Sequence, residues 1–293
     1  MLEWIQAHQF FIDITLISTL LVMSVFVVFH AGVFSLASVG FMAVGAYGTA
    51  ILTTKSGFPI WLGIVAGVVC ASVVALIVGL LVARLSGIYL ALATFALAQA
   101  ILVAIRELHV TNGVQGIIGI PIHAFTWTAV ILLVLLGILL ELVHRSHVGR
   151  ALRSARLDDV VARGFGIPVR RYRLAAMVAS GALAGLAGAL NAHEVGVISP
   201  DQYSFTLLVV ALTYVVVGGV AYWVGPMVAA LALGVFHELM RDVGTDWENI
   251  TYGLVLIVLI LLAPQGLGDP RLRKLFRRRR PKRPAAALQE TRT

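Results

Sequence analysis

Charge is scarce in this chain: 12% of its 293 residues are charged and 60% are hydrophobic, where soluble domains carry roughly a quarter charged residues. That excludes a water-solvated globule. Cysteine is scarcer still. The single Cys70 sits inside an apolar run, so no disulfide framework and no thiolate metal cluster can form, and the redox compartment stays open. No Gly-Lys dipeptide occurs, so the GxxxxGK[ST] loop that cradles nucleotide phosphates is missing and the chain cannot hydrolyse ATP by that route. The pairs His193-Glu194 and His237-Glu238 are followed, four residues after each His, by Val197 and Arg241 rather than a second His, which excludes a zinc-protease helix. Both pairs fall near expected outer ends of spans, where reaching water is cheap. Asp13, His30 and Glu141 also fall near span ends, so interfacial solvation is expected for them and a proton relay is disfavoured. The N-terminal MLEWIQAH lacks a basic n-region, so the first apolar run is expected to be retained rather than cleaved.

What the chain does have is a succession of apolar runs about 20 residues long, matching the roughly 30 Å hydrocarbon thickness of a bilayer. Spans are expected near 10–31, 34–53, 60–84, 87–106, 122–143, 174–194, 204–221, 225–241 and 249–264. The fold class is therefore an all-α polytopic membrane protein of about eight to nine transmembrane helices, with broken or re-entrant segments. Residues 1–269 form one transmembrane domain, and 270–293 a basic, disordered cytoplasmic tail. The net charge of +8 is concentrated: 18 of the 22 Lys and Arg residues lie in His144 to Arg173 or in Arg271 to Arg292. Clustering beside spans is a topology signal, not a nucleic-acid footprint, and places both segments on the cytoplasmic side, with anionic lipid as their partner. Five spans before the central island put the N-terminus outside, while Lys55 and Arg106 fall on the outer side against the trend.

Two segments break the helical pattern. Ala31 to Gly48, AGVFSLASVGFMAVGAYG, holds four glycines and two serines. Such backbone is tolerated at membrane depth only inside protein or along a water-filled cavity, so it is a candidate pathway element. In VVVGGVAYWVGP, Gly218 and Gly219 interrupt one helix and Pro226 suits the first turn of the next. Ser35, Ser38, Gly40, Gly218 and Gly219 are the candidate pathway neighbours, with tight packing as the competing reading. Gly181, Gly185 and Gly188 in SGALAGLAGAL follow the small-xxx-small pattern of close helix packing.

The island has a design of its own. Leu157, Asp158, Asp159, Val160, Val161, Ala162, Arg163 and Phe165 read as one short helix, with acids in its first turn and Arg163 near its end. Gly166 suits a left-handed cap and Pro168 discourages continuation. Asp159 and Arg163 are spaced for a surface ion pair. This is either a docking element or an interfacial helix lying on lipid.

Taken in order, HAGVFSLASVGFMAVGAYGTA, RLSGIYLALATFALAQ, TNGVQGIIGIP, GRALRSARLDDVVARGFGIPVRRYRLAAMVASGALAGLAGAL, ISPDQYSF, VVVGGVAYWVGP and YGLVLIVLILLAPQGL resemble the membrane subunits of ABC importers for branched-chain amino acids, particularly the M-type permease. The resemblance covers most of the chain. It implies a multi-pass permease of the bacterial inner membrane, with a cytoplasmic C-terminus and a cytoplasmic coupling loop at 144–173. Its implied partners are a second, similar permease, two cytoplasmic ABC ATPase subunits and an extracytoplasmic solute-binding protein. It implies no cofactor on this chain, ATP and Mg belonging to the ATPase, and no catalytic role. By the same likeness, residues 157 to 166 form the coupling helix, and the cargo is a small polar solute, branched-chain or related amino acids. The chain departs from the family pattern where Val33 follows Gly32, where Ala37-Ser38 replace a Gly-His pair, and where Ala221-Tyr222 follow the paired glycines. A self-contained channel or secondary carrier is the alternative reading; a membrane-embedded enzyme is a third, with no convergent nucleophile, base and metal set to support it.

Overall fold

The computed structural model describes residues 9–123 and 125–241, with side chains through Phe236. The expected span at 249–264, the tail at 270–293 and the His237-Glu238 side chains lie outside them. Helix α1 (Gln9–His30) leads into an irregular stretch at 31–37, then α2 (Ser38–Ala50), which closes in a π-turn at Ile51–Lys55. Helices α3 (Ile60–Leu81), α4 (Gly87–Glu107) and α5 (Thr126–Arg145) follow. The island folds as α6 (His147–Leu157) and α7 (Asp159–Gly164), and the chain continues through α8 (Val169–Val195), α9 (Phe205–Gly218) and α10 (Val224–Arg241). Five of these, α1, α3, α4, α5 and α8, are long and apolar enough to cross a membrane, and α9 and α10 are shorter apolar helices. The protein is a helical, multi-pass membrane protein.

Burial separates core from periphery. In the most apolar 18 residues of each helix, 67% are buried in α1 and 56% in α8, against 33% in α3, 33% in α4 and 22% in α5. A helix apolar all round and buried belongs at the centre, whereas an apolar exposed face suits lipid or a partner helix. Helix α8 packs along α1, α2 and α3, and its sequence explains why it can. Gly181 faces Ala71 and Ala75 of α3, Gly185 meets Ala71 and the backbone of Gly45, and Gly188 lies against the Met42 carbonyl of α2. A side chain at any of the three would push the backbones apart, so the expectation of close small-residue packing is borne out.

The segment at 31–37 is broken rather than helical. Gly32 takes φ +73° against the Arg156 backbone. The Leu36 amide donates to Thr94 Oγ1 at 3.0 Å, so a side chain of α4 replaces the missing helical acceptor. The all-α expectation is corrected in one detail: Ile117–Ile118 pairs antiparallel with Val197–Ile198. Gly116, at φ +73°, permits this bridge, since any Cβ there would strike the Ile198 carbonyl.

The two ends of the bundle differ. At one lie Gln9, Thr126 and the C-terminal end of α8: Gln9 Nε2 donates to Thr126 Oγ1 at 3.2 Å, and His193 of α8 bonds the Pro121 carbonyl just before α5. There Lys55 Nζ donates to the Val110 carbonyl at 2.6 Å and Arg106 pairs with Asp201 at 2.5 Å, so these two cations fasten the ends of helices to neighbouring loops. The opposite end carries α6 and α7 and the arginines of the island.

Candidate functional site

The basic end is built around α7. The expected single helix over Leu157 to Phe165 is corrected: Asp158 takes an extended conformation (φ −153°, ψ 112°) that ends α6 at Leu157 and starts α7 at Asp159. The physical cause is capping. Asp158 Oδ1 accepts from the Val160 and Val161 amides at 2.9 and 3.0 Å, so its side chain satisfies donors that a helix start leaves orphaned. At the other end Gly166 adopts φ +76°, and its amide donates to the Arg163 carbonyl at 2.9 Å, the left-handed termination expected of it.

One ion pair and a small apolar core hold α7 in place. Asp159 Oδ2 accepts from Arg163 at 2.7 Å, the expected i, i+4 pair, and also from Arg173 of α8 at 3.2 Å. Ala162 is buried with Ala155 and Val169 in a small separate core that joins α6, α7 and α8. The opposite surface of α7 and of the residues flanking it is uncovered: Val160 is 80% exposed and Val161 53%, with Leu157 at the end of α6 87% and Phe165 at the C-cap 83%. Four large apolar side chains on a charged loop, outside the apolar helices, form the kind of patch that marks a binding surface.

A second structure joins the island to the helices. Arg156 Nη1 donates to the Val220 carbonyl at 2.7 Å, and the same oxygen accepts from His30 Nδ1 at 3.1 Å. The break between α9 and α10 is thus tied at once to α6 and to the end of α1. Burial lowers the Arg156 guanidinium pKa from its ordinary value. Next to it, Glu141 Oε2 of α5 accepts from Tyr222 Oη at 2.7 Å and from Trp223 Nε1 at 2.9 Å, while Oε1 takes Arg145 at 2.6 Å. Arg153 reaches back from α6 to His144 Nε2 at 2.8 Å. Sequence reasoning missed this junction. The Glu141–Arg145 spacing was readable, but the partners of Glu141 lie 81 and 82 residues away.

The candidate pathway residues are placed as follows. Ser35 is buried, and its hydroxyl faces the Ala37 amide at 3.4 Å. Ser38 meets Ser180 of α8, oxygen to oxygen at 3.4 Å. Gly40 lies against Ala98 of α4. Gly218 packs on the backbone of Pro226, and Gly219 takes φ +83° to turn the chain toward α10. The structure places only Ser35 on the broken segment, puts Ser38 and Gly40 in the first turn of α2, which corrects the expectation of irregular backbone through Gly48, and keeps Gly218 and Gly219 at the basic-end junction.

Interfacial solvation is corrected for several groups. Asp13, His30, His193 and Glu194 are all buried, because α1 and α8 are the central helices and their ends are covered by neighbouring loops. His193 Nδ1 donates to the Pro121 carbonyl at 2.9 Å, leaving Nε2 to accept from Thr49 at 3.4 Å. Asp13 and Glu194 approach each other. Among the described residues no cluster of three or more His, Cys, Asp or Glu side chains is arranged to hold a metal.

Comparison with known proteins agrees with this architecture. Residues 10–263 match the family model described as branched-chain amino acid transport system / permease component. The high-affinity branched-chain amino acid transport system permease protein LivM of Escherichia coli K12 is 30% identical over 264 residues, covering 78% of this chain and 62% of that protein. The Salmonella typhimurium LivM is 28% identical with the same coverage, so the chain spans 62% of the length of the LivM proteins it matches. The fructose import permease protein FrcC of Rhizobium meliloti is 28% identical over 146 residues, covering 47% of this chain and 40% of that protein. No solved structure matches the chain. With most of its length matched, the chain belongs to the family of permease components of branched-chain amino acid transport systems.

Proposed function

We propose that this chain is the permease subunit of an ATP-driven ABC importer, moving a small polar solute, branched-chain or related amino acids, across the bacterial inner membrane. On this reading α1–α5 and α8–α10 make eight crossings. The N-terminal ends of α1 and α5 meet the C-terminal end of α8 at one pole of the bundle, which supports the alternation. The α6–α7 loop lies in the cytoplasm, the N-terminus lies outside, and the expected span at 249–264 returns the basic tail to the cytoplasm.

The observation that carries the proposal is the uncovered apolar face of α7. Val160 and Val161 stand out from a capped helix braced on α6 and α8, with Leu157 and Phe165 exposed at its two flanks. That is how a coupling helix must be built: its face fills a groove of a cytoplasmic ATPase, and its back transmits displacement without yielding. ATP and Mg are held by that partner. Two ATPases, a second permease and an extracytoplasmic binding protein complete the assembly. Movement of α7 reaches the spans through Arg173 of α8 and through the Arg156–Val220–His30 link to α9 and α1. Ser35 on the broken segment, Ser38 and Gly40 in the first turn of α2 that it leads into, and Gly218 and Gly219 at the junction border the path of the solute. The 31–37 stretch and the α9–α10 break are places where irregular backbone can separate or close without unwinding a helix.

The test replaces Val160 and Phe165 by serine in the complex assembled with its native partners. Each is more than three-quarters exposed, so folding is expected to be unaffected. Burial of such side chains in a partner contributes about 1.5–3 kcal/mol each. The double variant should therefore bind the ATPase at least a hundredfold more weakly and lose ATP-dependent uptake while still inserting in the membrane. Unchanged uptake would count against the coupling role. Sustained solute flux through the purified chain alone in liposomes, without ATP, would favour the self-contained channel or carrier.

A further inference from the structure

Between the last turn of α3, the start of α4 and the first turns of α8 lies a cavity of about 620 Å3, within the roughly 300–1,000 Å3 of small-ligand sites. Five arginines line it: Arg84, Arg163, Arg170, Arg171 and Arg173. They come from three separate stretches, the α3–α4 turn, α7 and the start of α8, so the tertiary fold assembles the cluster. Asp159 pairs with Arg163 and Arg173. Arg84, Arg170 and Arg171 form no ion pair among the described residues. The Nε of Arg173 is buried with no hydrogen-bond partner, and a buried donor left unmet costs the full desolvation of that group. Five cations on one cavity, with a single carboxylate partner, call for an anion.

The rest of the cavity is apolar. Leu174 and Met177 form part of its wall, and beside it Leu81, Ile88 and Tyr89 are exposed on the outward surface of α3 and α4. A soluble anion would use the arginines and leave that surface unmatched. An amphiphile uses both. We propose that this cavity binds the phosphate headgroup of an anionic phospholipid, with the acyl chains lying along the exposed apolar surface of α3 and α4. Guanidinium groups take phosphate oxygens in paired hydrogen bonds, and basic pockets between spans at the cytoplasmic face suit this ligand. Because Arg163 belongs to α7 and Arg173 to α8, the bound headgroup braces the proposed coupling helix against the spans. The site depends on the membrane reading of the chain and not on the cargo.

The experiment places the full chain in nanodiscs or mild detergent and measures binding of phosphatidylglycerol and phosphatidylcholine by native mass spectrometry. The variants are Arg84→Gln alone and the triple Arg84→Gln/Arg170→Gln/Arg171→Gln, with Arg150→Gln on α6, outside the cavity, as the charge control. One juxtamembrane arginine contributes about fivefold to anionic lipid binding. Phosphatidylglycerol binding should fall about fivefold in the single variant and on the order of a hundredfold in the triple, with phosphatidylcholine and the Arg150→Gln protein unchanged. Arg84 lies in an exposed turn, so the single variant keeps the test informative if the triple misfolds. An equal loss with Arg150→Gln would overturn the proposal, leaving only diffuse charge attraction. Full displacement of the lipid by millimolar inorganic phosphate would also overturn it, in favour of a soluble-anion site. So would a triple variant that keeps its lipid but loses the ATPase, which would make the arginines a protein-docking surface.

Discussion

Replacing Gly188 by alanine adds one methyl group at the tightest crossing of the bundle. The new Cβ would run into the Met42 carbonyl oxygen, with the Met42 carbonyl carbon 2.9 Å and the Ala46 nitrogen 3.0 Å away. All three obstacles are backbone atoms of α2, so no rotamer change can make room and the two helices must separate. Overpacking of this kind costs typically 1–3 kcal/mol, and the backbone character of the contact places Gly188→Ala at the upper end, about 3 kcal/mol. That is on the order of a hundredfold in the ratio of folded to unfolded protein. Gly164→Ala is the matched control: it lies in α7, and nothing stands within 4 Å of the added methyl. There the lower chain entropy of alanine should be neutral or stabilising by about 0.4–1 kcal/mol. Heating both variants in the same detergent, with size-exclusion chromatography of what survives, separates them. Gly188→Ala should lose its monodisperse peak at a clearly lower temperature than wild type, and Gly164→Ala should not. Equal stability of the two would refute the claim that α8 and α2 meet backbone to backbone.

Two further outcomes follow from the polar contacts. Asp158→Ala removes the acceptor of two α7 amides and should destabilise that helix by about 1 kcal/mol, seen as faster hydrogen exchange at Val160 and Val161; Asp158→Asn should retain protection, and unchanged exchange in the alanine variant would refute the cap. Asp13 is buried beside Glu194, and two carboxylate charges buried side by side are costly; Asp13→Asn should therefore melt at the same or a higher temperature, whereas a marked loss of stability would show that the carboxyl group holds this end of the bundle together.

Much of the fold was legible because the bilayer imposes a simple rule. A run of about 20 apolar residues has few alternatives to a helix that satisfies its own backbone, so α1, α3, α4, α5 and α8 lie close to their expected ranges. The breaks were legible as well: Gly32 and Gly219 both take positive φ, a conformation other residues rarely adopt. The α7 termini were read less accurately. Asp158 can serve as a first-turn acid or as a cap, and its backbone conformation depends on how α6 ends.

The candidate site was half visible. The apolar face of α7, its cap at Gly166 and the Asp159–Arg163 pair are local, and helical spacing reveals local pairs. The clamp of Glu141 on Tyr222 and Trp223, the shared Val220 carbonyl and the second partner of Asp159 are not. Each joins residues distant in sequence, and no periodicity encodes which distant residue will face which.

Composition and patterning determined by themselves that this is a multi-pass helical protein with a structured basic loop and close-packed glycine contacts, because hydrophobic length, charge clustering and small-residue spacing act within a single helix or turn. Only the tertiary structure decided that α1 and α8 are central, that Asp13, His193 and Glu194 are buried rather than solvated, and that arginines from three separate stretches line one cavity. Those properties depend on which helix faces cover one another, and that is settled by the packing of the whole bundle.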